Sequence, residues 1–117
     1  MKTKEITING VNYPIVCTMD TLMNFESIVN KSFFETDFKT LKDRMALIIA
    51  AVITADEHTD LTAEAMKGGN DLNAVKQIIA AYNIVAALMG EFFELPEVVK
   101  QAEESEQPDD PDEKPKN

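Results

Sequence analysis

The densest group of side chains capable of chemistry is Asp56-Glu57-His58-Thr59-Asp60, three carboxylates around the single histidine. A calcium loop opening at Asp56 needs Gly at its sixth position and Glu at its twelfth. Leu61 and Lys67 stand there instead. Zinc is excluded by ligand count, because His58 has neither a second His nor a Cys at ligand spacing. Cys17, the one cysteine, could serve with His58 as nucleophile and base, yet no local signature flanks either residue. A lone cysteine of this kind reads as a small buried hydrophobe, and it excludes an intramolecular disulfide framework. Gly10, Gly68, Gly69 and Gly90 form no phosphate loop; a turn, a helix stop and close helix packing account for them. The residues therefore predict no enzyme, no cofactor and no metal, with 56–60 a solvated loop between helices.

The elements around that loop follow from spacing. Ile6 and Ile8 alternate with polar neighbours, Asn9-Gly10 intervenes, and Val11, Tyr13 and Ile15 continue the alternation. Asn-Gly favours a tight primed turn, because both central residues need positive φ. A hairpin is expected, with Pro14 on an edge or with its missing amide turned to solvent. Thr18 can cap a first helix whose stripe is Leu22, Phe25 and Val29, broadened by Met23 and Ile28 and stopped at Asn30. After an aromatic link, Phe33, Phe34 and Phe38, Asp37 is the expected N-cap of a second helix facing inward with Phe38, Leu41, Met45, Ile48 and Val52 and ending near Asp56. Thr62 opens a short helix that Gly68-Gly69 stops. Asp71 caps the last helix, in which Leu72, Val75, Ile79, Tyr82, Ala86, Met89 and Phe93 keep a heptad-like spacing beside a second row, Ile78, Val85, Leu88 and Phe92, and Pro96 ends it. The fold expected is α+β, mainly α: an N-terminal β-hairpin, then a small bundle of two long and two short helices.

Charge and length limit the partners. The chain has 117 residues, 44% of them apolar, with 11 Lys+Arg against 21 Asp+Glu and a formal net charge of -10. Nucleic acid and anionic membrane surfaces are poor partners for such a chain, because phosphate contacts require Lys or Arg. The longest nearly apolar run, Ala46 to Ala55, is short of the roughly 20 residues that cross a bilayer. No export signal is read at the N-terminus. Residues 101–117 hold seven acids, two lysines and three prolines. They are expected to form a disordered acidic tail after a domain spanning 1–100.

Two apolar rows on the last helix and an almost wholly apolar second helix exceed what one hairpin and a short helix can cover. Either a central helix surrounded by the others absorbs the excess, or a partner or second copy of the chain does. The methionines Met19, Met23, Met45, Met66 and Met89 suit an adaptable apolar contact as well as ordinary gap filling.

From Ile6 to Phe34 the sequence ITINGVNYPIVCTMDTLMNFESIVNKSFF resembles the tail assembly chaperones of long-tailed bacteriophages and prophages. The likeness lies in a strand, an Asn-Gly turn, a Tyr-Pro strand, Leu-x-x-Phe-Glu on a helix and Lys-Ser-Phe after its cap. Relatives often carry Gly where this chain has Asn30, a change that a left-handed cap accepts. Beyond Phe34 the likeness is one of layout. The resemblance implies a non-enzymatic protein of the host bacterial cytoplasm that binds the long, helical, apolar tape-measure protein and keeps it soluble during tail assembly. A structural tail component and a small regulatory protein-binding adaptor are the alternatives. Ile48, Val52, Ile78, Val85, Leu88 and Phe92 are the expected partner contacts.

Overall fold

A computed structural model describes residues 3–94; Pro96, the expected domain boundary at residue 100 and the acidic tail lie outside the described residues. Strands β1 (Thr3–Ile8) and β2 (Val11–Val16) pair antiparallel around Asn9-Gly10, whose φ values of 53° and 80° are those a primed turn demands. Ile8 faces Val11, so the alternating ladder sets Glu5 and Pro14 at a non-hydrogen-bonded pair, where the missing proline amide costs nothing. Ile6, Ile8 and Ile15 are buried. The fold is α+β and mainly α, as the spacing predicts.

Helix α1 (Met19–Val29) starts at Thr18 and stops at Asn30, which takes the left-handed conformation with φ 59°. Its capping box is closed by Thr21, whose hydroxyl accepts from Thr18 N at 3.0 Å. The single proton of that hydroxyl lies between Val16 O at 2.9 Å and Thr54 Oγ1 at 3.0 Å. One buried hydroxyl thus ties the end of β2, the start of α1 and the end of the next helix together. Phe25 is the buried centre of the α1 stripe, with Leu22 and Val29 packed beside it. Met23 and Ile28 do not join that stripe; both are exposed.

Helix α2 (Leu41–Ala55) ends where expected but begins later than Asp37. Thr40 is its N-cap, accepting from Asp43 N at 3.1 Å, while Asp37 accepts from Lys39 N in a turn of its own. The reason is Phe38, which has φ 57° and so cannot be helical. That backbone turn places the Phe38 ring against Phe25, Phe33 and Tyr82. The 3-10 turn Phe33–Glu35 is held by Glu26, whose carboxylate accepts from Phe33 N at 2.8 Å. Arg44 donates from Nε to Phe38 O at 2.7 Å and lays its guanidinium 5.0 Å from the centre of the Tyr82 ring.

Helix α3 (Ala63–Lys67) is capped by Thr62, and α4 (Leu72–Phe93) by Asp71. Helix α2 lies at the centre. It contacts α1, β2, α4 and α3, and α4 also lies along β1. The hairpin turn is docked across the chain: Asn9 N donates to Gln77 Oε1 and Asn9 Nδ2 to Ala65 O, each at 2.7 Å, while Gln77 Nε2 returns a bond to Asn9 Oδ1 at 3.1 Å. Gly68 makes room for it. With φ 53°, a Cβ there would sit 2.6 Å from Asn9 Oδ1, whereas one on Gly10 would meet nothing within 4 Å. Gly68→Ala therefore combines backbone strain with expulsion of the Asn9 amide, and we expect it to cost about 2–4 kcal/mol in urea unfolding. Gly10→Ala carries the strain alone, about 1 kcal/mol. Equal losses for the two substitutions would show that the docked turn contributes little.

Candidate functional site

Helix α4 is 22 residues long, and between Leu72 and Gly90 its only charged residue is Lys76. A helix that merely covers a core carries its charges on the solvent side. Here the solvent side is largely apolar. Turning 100° per residue, the exposed arc runs through Leu72, Lys76, Ile79, Ala80, Asn83, Ala87 and Gly90. Leu72 is 65% exposed, Ile79 38%, Ile84 on its flank 37% and Phe93 at its end 42%. Phe93 extends the surface onto the aromatic link, with its ring 6.1 Å from that of Phe33 and 6.4 Å from that of Phe34, itself 73% exposed. The small residues Ala80, Ala87 and Gly90 leave the middle of the arc shallow enough for another helix to approach closely.

This arrangement corrects the expected contact set. Ile48, Val52, Ile78, Val85 and Leu88 are sealed in the core, and Phe92 is half-buried against it. On α4 the second row, together with Ala81, turns inward onto α2 and β1. The heptad-like row splits instead: Met89 is buried, Val75, Tyr82 and Ala86 are half-buried, and Leu72, Ile79 and Phe93 face outward. A central helix therefore does absorb the inner rows, and the uncovered surface belongs to other residues. The methionines divide likewise. Met45, Met66 and Met89 fill the core, while Met19 and Met23 lie exposed on α1.

Among the described residues α4 is the one helix long and apolar enough, by length and composition, to cross a bilayer, although 33% of its most apolar 18-residue stretch is buried within the protein. The run from Ala46 to Ala55, more uniformly apolar, forms the last ten residues of α2, six of them buried. Lys76, Gln77 and two asparagines interrupt α4, so it meets the criterion through its length and not through an unbroken apolar run.

The side chains capable of chemistry are not brought together. His58 and Glu57 stand out in solvent with side chains 88% and 82% exposed, 3.8 Å from each other. Cys17 is buried, its thiol donating weakly to Val85 O at 3.9 Å. Among the described residues no group of three His, Cys, Asp or Glu is placed to hold a metal ion. The motif residues of the N-terminal third serve the aromatic link: Phe25 packs edge-on against Phe33 at 5.7 Å, Glu26 fixes the Phe33 amide, and Ser32 caps the 3-10 turn. No protein-family model matches the chain, and neither curated proteins nor solved structures yield a match to it.

Burial pushes the Cys17 thiol from its ordinary 9.0 up to about 11. The folded chain keeps this proton through the window in which the unfolded chain releases it, so stability falls as pH rises from 9 to 11. Replacing Cys17 with Ala should remove that component of the alkaline loss, about 2–3 kcal/mol. At neutral pH a disulfide reagent should modify the thiol only after urea opens the fold. Modification of the native chain at the rate of a free thiol would contradict the burial.

Proposed function

We propose that this protein is a non-enzymatic chaperone of phage or prophage tail assembly, acting in the host cytoplasm. It holds a tape-measure-like helical protein in solution until tube subunits replace it. The observation that carries this reading is the outward face of α4, an apolar arc with one charge along five turns. A long apolar helix is the occupant whose shape and chemistry fit it. Such a client lays its own apolar stripe on a helix face through anchors spaced three and four residues apart. Leu72, Ile79 and Phe93 recur at intervals of seven and fourteen residues, which keeps them on one side of the helix, and the small residues between them admit a close approach. The formal net charge of -10 gives the complex the mutual repulsion that keeps it dispersed. The N-terminal likeness to tail assembly chaperones supports the same reading.

The test is co-expression with the longest helical product encoded in the neighbouring genes. That partner should remain soluble with the native chain. With the double variant Ile79→Glu, Ile84→Glu it should pellet, while the circular dichroism of the variant still shows the native helical content, since each side chain is more than a third exposed. A partner equally soluble with native, variant or no chain overturns the reading. Mass spectrometry of purified particles should find this chain absent; a fixed stoichiometric copy number there would mark it as a structural tail component instead.

A further inference from the structure

The two outer edges of the hairpin differ. Because Ile8 and Val11 form a hydrogen-bonded pair, alternation makes Thr3, Glu5 and Thr7 on β1, and Asn12, Pro14 and Val16 on β2, the residues whose backbone groups point away from the paired strand. On β2 this edge is closed to another strand. Pro14 has no N–H to offer, and Val16 O already accepts from Thr21 Oγ1 at 2.9 Å. On β1 the edge is open. The three N–H and three C=O groups of Thr3, Glu5 and Thr7 have no hydrogen-bond partner among the described residues, and all three residues are exposed. An uninterrupted edge of six residues, without proline or bulge, is what an added strand pairs with.

The ground beside this edge is apolar. Helix α4 packs along β1 and α2 along β2, so the outer edge of β1 points away from α2, over the free flank of α4. At 100° per residue Gln77 and Ile84, seven positions apart, fall on one line of α4. Gln77 holds the turn at Asn9, and Val85, next to Ile84, offers its carbonyl to Cys17 just after β2. Ile84 therefore lies alongside β1, beyond its edge, and is 37% exposed. The solvent row of β1 carries one charge, Glu5 between Thr3 and Thr7, while Lys4 belongs to the opposite row with Ile6 and Ile8. These features describe the occupant: an extended segment with one apolar row to cover Ile84 and a Lys or Arg in the other row opposite Glu5. A second copy of β1 does not meet them. The antiparallel register that uses all three outward residues pairs Thr3 with Thr7 and sets Glu5 directly against Glu5, which is destabilising.

We propose that the outer edge of β1 is a docking site for an extended segment of a partner protein, in which apolar and polar residues alternate and a cation stands opposite Glu5. The segment adds a third strand to the hairpin through Thr3, Glu5 and Thr7 and covers Ile84 with its apolar row. This goes beyond the client face: the α4 arc takes a helix, this edge takes a strand, and Ile84 borders both. Backbone hydrogen bonds hold the segment, and Ile84 and Glu5 select it.

The experiment follows amide hydrogen exchange of the full chain by NMR, with no client present, on adding a capped nine-residue peptide, KVTVKVTVK in one-letter code, whose apolar row is valine. At saturating peptide the amides of Glu5 and Thr7 should exchange about ten-fold or more slowly, while those of Ile6 and Ile8, already bonded to β2, change little. Glutamate in place of the central lysine of the peptide should weaken binding about three-fold or more, and Glu5→Lys should restore it. N-methylation of the central lysine and both threonines, which removes the donors facing β1, should abolish binding. The proposal is overturned if Glu5 and Thr7 exchange at unchanged rates in millimolar peptide, or if the N-methylated peptide slows them equally. It is equally overturned if those amides slow with rising protein concentration alone, since a second copy would then close the edge. Either failure leaves the client reading standing, because the α4 arc is not what these amides probe.

Discussion

Helix α2 needs apolar cover on almost every side, and that requirement organises the rest of the molecule. Met45, Ala46, Leu47, Ile48, Ala50, Ala51 and Val52 are all buried, and only the strip through Lys42, Ile49 and Ile53 stays partly open to water. Burial of such side chains is worth about 1.5–3 kcal/mol for each of the larger ones, which makes partial cover costly. A chain of this size meets the demand by placing α1 and α3, the hairpin and one face of α4 around α2. Each of these elements is amphipathic toward the centre. Helix α4 differs because its outer face is also apolar, and no further element is available to cover it among the described residues.

Polar contacts fix the cover in place without competing for the core. Thr21 joins β2, α1 and α2 through one hydroxyl. Lys31 and Asp43 hold the end of α1 to the start of α2, and Asn9 with Gln77 holds the hairpin turn to α4. Each tie has at least one partner at or beside an element end, where backbone groups lack helical or strand partners. The aromatic link is locked by the same logic, through Glu26 and Arg44. The result is a cross-tied scaffold that carries the α4 arc on its outside.

Local chemistry made much of this legible from sequence. Asn9-Gly10, Thr18, Asn30, Thr62 and Asp71 do what their types imply, because a cap or a primed turn depends on residues within a few positions. The start of α2 was not legible, since the positive φ of Phe38 is imposed by aromatic packing with Phe25 and Tyr82. The docking of Asn9 on Gln77 joins residues 68 positions apart, and no local signal announces it. The faces of α4 show a different limit. Spacing identifies Ile78, Val85 and Leu88 as one row and Leu72, Ile79 and Phe93 as part of another, yet both rows are apolar, so periodicity alone does not say which turns inward. The hairpin decides it by occupying the side that Ile78 and Val85 face.

The account therefore rests on a helix with two apolar faces, one closed by the fold and one left open, where the proposed client would dock. Hydroxyl-radical footprinting of the chain, alone and in its client complex, measures this directly. Leu72, Ile79, Ile84 and Phe93 should be oxidised in the free protein and protected in the complex, while Ile78, Val85 and Leu88 remain unoxidised in both. Oxidation of the inner row in the free protein, or unchanged oxidation of the outer residues once the client is bound, would contradict the account.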